Sequence, residues 1–351
     1  VFGIVSLVCV YLVVLALHLA VPGRWVDGYV KGADGKPLRY RLNGLRVFFV
    51  SIALWAGACH FGLLKWTDFH THRWPMLWTA CVIGLVFSAV IVFTAKPVKN
   101  VLADFYLGRR ENPQALGGKL DAKMWLYLIG ATMLELNLLS SVAAHLEAHP
   151  EDPSPGVFLS TGLFTFFLVE YLNFEEVHLY TYDFMAERVG FKLGWGCLTF
   201  YPFFYAVGLW SQAGQPNPHV HPGLLVLCGV LFFTGWALSR GANLQKFHFK
   251  RDPTRTFLGI TPEALQGRVL VNGFWGLSRH INYLGEVLMA LGISLALGNP
   301  LAWEPWLYPL YYVALLVPRQ IDDDKRCAAK YGPLWHDYVK RVPKRIIPFV
   351  Y

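Results

Sequence analysis

The sequence predicts an all-α integral membrane protein with about ten transmembrane helices, and three observations support this. Hydrophobic residues make up 55% of the 351 and charged residues only 15%, too little polar surface for a water-soluble chain of this length. Apolar runs of about 20 residues, the length needed to cross a hydrocarbon core of ~30 Å, recur along the chain. Basic residues are also sorted by loop. Loops 22–46, 96–123, 174–194 and 239–268 carry 6, 6, 2 and 6 Lys or Arg, whereas 65–75, 144–156 and 213–221 together carry two. This positive-inside alternation puts the first set in the cytoplasm. Most of the +8 net charge therefore marks topology, and nucleic acid is not needed to explain it.

Helices are expected near 1–21, 45–64, 76–95, 124–143, 157–173, 195–212, 222–238 and 301–318. A shorter run at 284–298 forms a hairpin with the last, which makes nine or ten crossings. The first run lacks the basic n-region and A-x-A site of a cleaved signal, so it is expected to span. The six cysteines show no C-x-x-C spacing and five lie in apolar runs, which predicts neither disulfides nor a zinc site. The Pro/Gly-rich patches at 150–156 and 215–222 are short loops between helices. No repeat or long linker divides the chain. One membrane domain over 1–351 is expected, with 1–238 as scaffold and 239–351 specialised.

Ionisable residues inside apolar stretches are costly in hydrocarbon and face protein or a cavity. Here they are Glu135, Glu170 and Glu286, with Arg279 and His280 just ahead of the last. For Glu135 and Glu170, structural pairing and cavity lining both remain open. In the polar stretch after Glu170, a continuous helix would place Glu176, Tyr180 and Asp183 on adjoining faces, with His178 and Tyr182 beside them. A carboxylic acid in a poorly solvated place retains its proton and can donate it, which makes Glu176, Asp183 and Tyr180 candidate catalytic residues. The alternative is a solvated amphipathic connector. No H-E-x-x-H or H-x-x-E-H spacing occurs, so no metal is expected.

The densest chemistry lies toward the C-terminus. Lys246 and Lys250, four residues apart, share a helix face. Arg279, Arg319, Lys325, Arg326, Lys330, Arg341, Lys344 and Arg345 are enough cations for several phosphates. Trp275, Tyr283, Tyr331 and Tyr338 can stack on aromatic rings, and Asn282 and Asp323 can hydrogen-bond an amide or a ribose. A dinucleotide needs all three kinds of contact. The chain has neither a Gly-rich Rossmann turn nor a P-loop, so the site must lie between helices and their cytoplasmic ends. The alternative is a basic amphipathic tail on anionic lipid, which the acids Asp322, Asp323 and Asp324 oppose.

These residues resemble the sterol reductase family: the Δ14-sterol and 7-dehydrocholesterol reductases and the membrane domain of the lamin B receptor. The bacterial C14-sterol reductases are nearest in pattern. The likeness rests on Gly273-Phe274-Trp275-Gly276, on Arg279-His280-x-Asn282-Tyr283-x-Gly285, and on Asp323-x-x-Arg326-Cys327 followed by Lys330-Tyr331-Gly332. It continues through Tyr338, Arg341, Val342-Pro343 and Ile347-Pro348. Upstream it takes in Asn243-x-Gln245-Lys246, Glu175-Glu176, Asp183, Gly190-Phe191, Gly194-Trp195-Gly196, Tyr201-Pro202 and Gly108-Arg109-x-x-Asn112-Pro113, covering roughly 105–351. Two departures occur: Gln114 stands where the family has Arg, and Leu128-Ile129-Gly130 replaces an Arg-Pro-Gly.

The resemblance implies about ten transmembrane helices and NADPH-dependent reduction of a sterol ring double bond, C14=C15 in the nearest members. It places the cofactor on Lys246, Lys250, Leu270, Trp275, Asn282, Tyr283, Asp323, Cys327, Tyr331 and Tyr338, with Arg279, His280, Arg319 and Lys330 as neighbours. Its partners are a sterol substrate and membrane lipid, with no nucleic acid and no obligate protein partner. The expected setting is a bacterial inner membrane, or the endoplasmic reticulum in a eukaryote, with the cofactor pocket facing the cytoplasm. Rival readings are reduction at Δ7 or Δ24(28), an isoprenylcysteine-type membrane methyltransferase, and a lipid-binding protein without activity.

Overall fold

The computed structural model describes residues 1–351, which form two compact units, Val1–His219 and Val220–Tyr351. In the first unit the Ala122–Ala148 helix is the hub: 78% of its apolar window is buried, against 33% for Phe2–Ala20 and 28% for Arg73–Phe93. The latter two each bury one stripe and leave the rest apolar and exposed, as lipid contact requires. In Arg73–Phe93 that stripe is Met76, Ala80, Gly84, Ser88 and Val92, one residue in four along a single face. Its small residues let Thr199 Oγ1 donate to the Ala80 carbonyl at 2.8 Å.

Five helices are long and apolar enough to cross a bilayer: Phe2–Ala20, Arg73–Phe93, Ala122–Ala148, Pro155–Asn173 and Pro222–Arg251. Gly44–His60 and Ile281–Ala296 are apolar but shorter, at 17 and 16 residues. The run expected as one helix over 195–212 is broken into Phe191–Trp195, a π-helical stretch Gly196–Phe204, and Val207–Gln212. Pro202 inside it has no N–H to complete an α-ladder, and Asn137 Nδ2 donates to the Pro202 carbonyl at 2.8 Å. Loop 22–46 holds an antiparallel hairpin, Arg24–Lys31 with Pro37–Leu42.

The continuous helix that would align Glu176, Tyr180 and Asp183 does not form. Glu175–His178 and Tyr182–Met185 are single turns. Between them Thr181 Oγ1 donates to the His178 carbonyl at 2.7 Å, a local bond that competes with helix continuation.

In the second unit the Pro222–Arg251 helix runs well past residue 238, where its apolar stretch ends. Hydropathy marks what lipid can cover, and tertiary contact keeps the polar continuation helical. Gly241 there lies under the Phe274 ring, so close that a Cβ would stand 2.3 Å from Phe274 Cζ. One helix turn earlier and more, Gly235 meets Gly285 of the Ile281–Ala296 helix backbone to backbone; a Cβ on Gly285 would come within 2.4 Å of the Gly235 carbonyl oxygen. Glu304–Tyr331 likewise continues past 318 and is followed by Pro333–Arg341. Leu334, Trp335 and Tyr338 of the latter share a small core with Val269, Val271 and Val342.

Candidate active site

The second unit brings most of the expected cofactor residues together. Because the Pro222–Arg251 helix continues, Lys246 and Lys250 sit one turn apart on it. Lys246 Nζ lies 5.3 Å from the Trp275 ring centroid, and Lys250 Nζ lies 3.5 Å from the Tyr331 hydroxyl. Lys330 Nζ and the Arg268 guanidinium stand 5.2 and 5.4 Å from the centre of the Tyr331 ring. Cys327 packs against the same core as Tyr331, and burial pushes its thiol up to about 12, with Asp323 adding to the rise. Leu270 is buried on the Val269–Leu270 strand.

Trp275 is held from two sides. Its indole Nε1 donates to the Ala242 carbonyl at 2.9 Å, and the Trp275 carbonyl accepts from the Tyr338 hydroxyl at 3.0 Å. The turn before it needs Gly273, whose φ is +61° and whose missing Cβ leaves room for the Gln245 amide. Gln245 in turn donates to the Asn272 carbonyl at 3.2 Å and accepts from Phe274 N at 3.0 Å.

Arg279 and His280 are engaged with acids and main-chain carbonyls. The Arg279 guanidinium reaches Asp324 at 3.2 and 3.3 Å and donates to the Val342 and Pro343 carbonyls at 2.9 Å each. His280 Nε2 lies 3.4 Å from Asp324 and its Nδ1 3.8 Å from Asp323, while its ring stacks on Tyr283 at 5.1 Å. Burial alone would raise the Asp324 carboxyl, but His280 and Arg279 more than offset it and bring it to about 2. Asn282 follows this pair, and its Oδ1 is buried with no hydrogen-bond partner. Arg319 is half-buried one turn before Asp323.

Glu135 and Glu286 are hydrogen-bonded: Thr165 Oγ1 donates to Glu135 at 2.8 Å, and Ser239 Oγ donates to Glu286 at 2.6 Å. The three candidate proton donors all lie in the first unit. Glu176 pairs with Arg24 at 2.6 Å. The Tyr180 ring lies 5.6 Å from that of Tyr29, beside a core of Val26, Tyr40, Met124, Leu179 and Phe184. The Asp183 carbonyl accepts from Lys123 Nζ at 2.6 Å.

The acid missed by the sequence reading is Glu175, next to Glu176 but turned inward. It is buried, accepts from Gly44 N at 3.1 Å, and burial pushes its carboxyl up to about 8, with the Gly44 N–H offsetting part of the rise. Asp324 and Arg268 were missed as well. The repeated aspartates hid the first, and the second stands apart from any motif.

The second unit thus offers clustered cations, aromatic faces and an unfilled buried acceptor, the requirements of an anion that also carries rings and an amide. The whole chain, residues 1–351, matches the model of the ergosterol biosynthesis ERG4/ERG24 family. It is 33% identical to a Delta(14)-sterol reductase of Methylotuvimicrobium alcaliphilum, over 96% of this chain and 80% of that protein. It is 30% identical to the Delta(14)-sterol reductase of Arabidopsis thaliana over 99% of this chain and 97% of the relative. With the mouse Delta(14)-sterol reductase TM7SF2 it shares 35% identity over 96% of this chain and 82% of the other. The chain belongs to the ergosterol biosynthesis ERG4/ERG24 family.

Proposed function

We propose that this chain is a membrane-embedded sterol reductase that uses NADPH to saturate the C14=C15 bond of a Δ14-sterol. The observation that carries the reading is that one compact unit holds Lys246 against Trp275, Lys250 and Lys330 against Tyr331, and the unfilled Asn282 acceptor. Relatives named as Delta(14)-sterol reductases align with nearly the whole chain.

The residues fit a nicotinamide dinucleotide. Lys246, Lys250 and Lys330 would hold phosphates; Trp275, Tyr331 and Tyr338 would flank rings; Leu270 and Cys327 would form an apolar wall. Asn282 Oδ1 would accept an amide N–H, and Asp323 would bond a ribose hydroxyl. NADPH, when bound, supplies hydride. Arg279, His280 and Asp324 position this machinery, since their polar atoms are directed at each other and at the C-terminal carbonyls. About ten crossings, with the cofactor site toward the cytoplasm, complete the arrangement we propose, the shorter apolar helices supplying crossings beyond the five long ones.

A proton must reach the double bond as well. Protonation at C15 leaves positive charge at the tertiary carbon C14, which water would trap, so the donor must work in a dry pocket. Glu176, Asp183 and Tyr180 remain candidates, and Glu175 joins them as a carboxyl that retains its proton at neutral pH.

The test is to incubate membranes containing the protein with NADPH and a panel of Δ14, Δ7 and Δ24 sterols, reading products by mass spectrometry. Loss of the Δ14 substrate with a gain of two hydrogens is expected. Conversion of only a Δ7 or Δ24 sterol would move the assignment to that bond, and turnover of none would remove it. Among Glu175→Gln, Glu176→Gln, Asp183→Asn and Tyr180→Phe, the donor's variant should lose about 10²-fold or more in kcat. Full activity in all four would place the proton source elsewhere.

A further inference from the structure

We infer that Arg268 reads the 2′-phosphate of the cofactor and so sets the preference for NADPH over NADH. This rests on the dinucleotide reading above and adds a residue that no sequence motif marks.

The argument begins with charge. NADH carries two phosphate charges on its pyrophosphate, and the 2′-phosphate monoester of NADPH adds about −1.5 to −2 more at neutral pH. Lys246 and Lys250 would balance a pyrophosphate. The structure places two further cations at the same locus, Arg268 and Lys330, both over the Tyr331 ring. Lys250 is in electrostatic reach of Lys246, Lys330 and Arg268 alike. Arg268 and Lys250 meet at one ring, and bringing these like charges together is favoured by an anion between them.

The second observation is how Arg268 is mounted. It follows a tight turn in the hairpin formed by Ala264–Leu265 and Val269–Leu270, where Gln266 and Gly267 have φ of +48° and +66°. Its N–H donates to the Leu265 carbonyl at 2.9 Å and closes the turn. The next residue, Val269, is anchored in the core that also contains Trp335, and Trp335 stacks on Tyr331 at 6.3 Å. Hairpin and ring therefore rest on one foundation. The Arg268 side chain is exposed, yet its base is fixed relative to Tyr331. Glu263, at the start of the hairpin, is bonded to Arg341 and leaves Arg268 for another anion.

Lys246 lies over the Trp275 ring. Arg268 and Lys330 lie over the Tyr331 ring, whose hydroxyl Lys250 approaches at 3.5 Å. With the adenosine of the dinucleotide stacked on Tyr331, its 2′-phosphate would come within reach of the Arg268 guanidinium over that ring. The planar guanidinium, with its fork of N–H donors, suits a terminal phosphate better than an ammonium does.

The test uses the full-length protein in detergent and two probes that carry no hydride, adenosine 2′,5′-bisphosphate and adenosine 5′-monophosphate. Calorimetry gives Kd for each on the unaltered protein, Arg268→Ala and Arg268→Lys, and the NADPH and NADH affinities are measured alongside. The unaltered protein should favour the bisphosphate. Arg268→Ala should lower that ratio about tenfold, the size expected for losing a charge-assisted bond to phosphate, and change monophosphate binding by less than about twofold. Arg268→Lys should restore part of the ratio. An unchanged ratio in Arg268→Ala overturns the assignment, as does an equal loss for both probes, which would signal general attraction only. If the unaltered protein binds neither NADPH nor NADH, the dinucleotide reading itself fails. If it binds NADPH preferentially and Arg268→Ala retains that preference, only the role of Arg268 falls.

Discussion

Three consecutive aspartates in one helix, indistinguishable by residue type, end in three environments. Asp322 pairs with Arg326 one turn on, at 2.6 Å, in an exposed i, i+4 pair of small energetic consequence. Asp324 takes the least exposed position of the three, against Arg279, His280 and Gln320, and Asp323 is left between them, half-exposed. The sequence could show that this segment faced cations. Which aspartate faced them depends on helix phase, about 100° per residue, and on where Arg279 is held. Glu175 and Glu176 repeat the lesson: one is buried against Gly44, the other paired with Arg24. A pH prediction follows for Glu175. Its carboxyl titrates near 8 when folded and near the ordinary 4.5 when unfolded. From 4.5 to 8 the folded state therefore holds the extra proton, so stability falls as pH rises through that window. Thermal melts of the unaltered protein and of Glu175→Gln in detergent should differ accordingly. The Gln variant, which retains an oxygen to accept from Gly44, should show the shallower decline from pH 5 to 8 and be the more stable at pH 8. Parallel slopes would show that this carboxyl does not contribute to the pH dependence.

At the scale of elements, apolar runs located the helices well because a twenty-residue stretch has few other destinations. What they could not show was where polar continuations stay helical, as in Pro222–Arg251 and Glu304–Tyr331, since those depend on partners such as Phe274. The π-helical turn around Pro202 and the Arg24–Lys31 hairpin were likewise set by tertiary contact. The C-terminal stretch after Val342 has a role visible only in three dimensions. The Lys344 and Arg345 carbonyls accept from Arg279 N and His280 N at 3.0 and 2.7 Å, and the Ile346 carbonyl accepts from Ser278 Oγ at 2.8 Å. The tail thus braces the backbone just before Asn282 and Tyr283. Stopping the chain after Val342 removes these bonds together with the Pro343 carbonyl that Arg279 uses. At about 1 kcal/mol net for each bond, NADPH binding should weaken at least tenfold. Ser278→Ala, which loses a single bond, should weaken it about two- to fivefold without disturbing the fold. NADPH affinity unchanged in both variants would rule out the brace.

For the whole molecule, the open question is how many helices cross the membrane, and it turns on short ones such as Gly44–His60. Seventeen residues of α-helix extend about 26 Å, against a hydrocarbon core of ~30 Å. Length alone leaves this helix slightly short, although small mismatches cost little. Loop charge argues that it crosses: 22–46 carries six Lys or Arg, and 144–156 carries none. Between these loops lie Gly44–His60, Arg73–Phe93 and Ala122–Ala148. Three crossings put the loops on opposite sides; two put them on the same side. Single cysteines placed at Asp34, in the exposed hairpin turn, and at Glu151, in the exposed loop after Ala148, report the difference. The chain carrying only its native cysteines serves as background for labelling by a membrane-impermeant maleimide in sealed vesicles. Asp34→Cys should label only when the cytoplasmic face is outward, and Glu151→Cys only when it is inward. Labelling of both from one side would mean that Gly44–His60 does not cross, and the ten-crossing arrangement would fall with it.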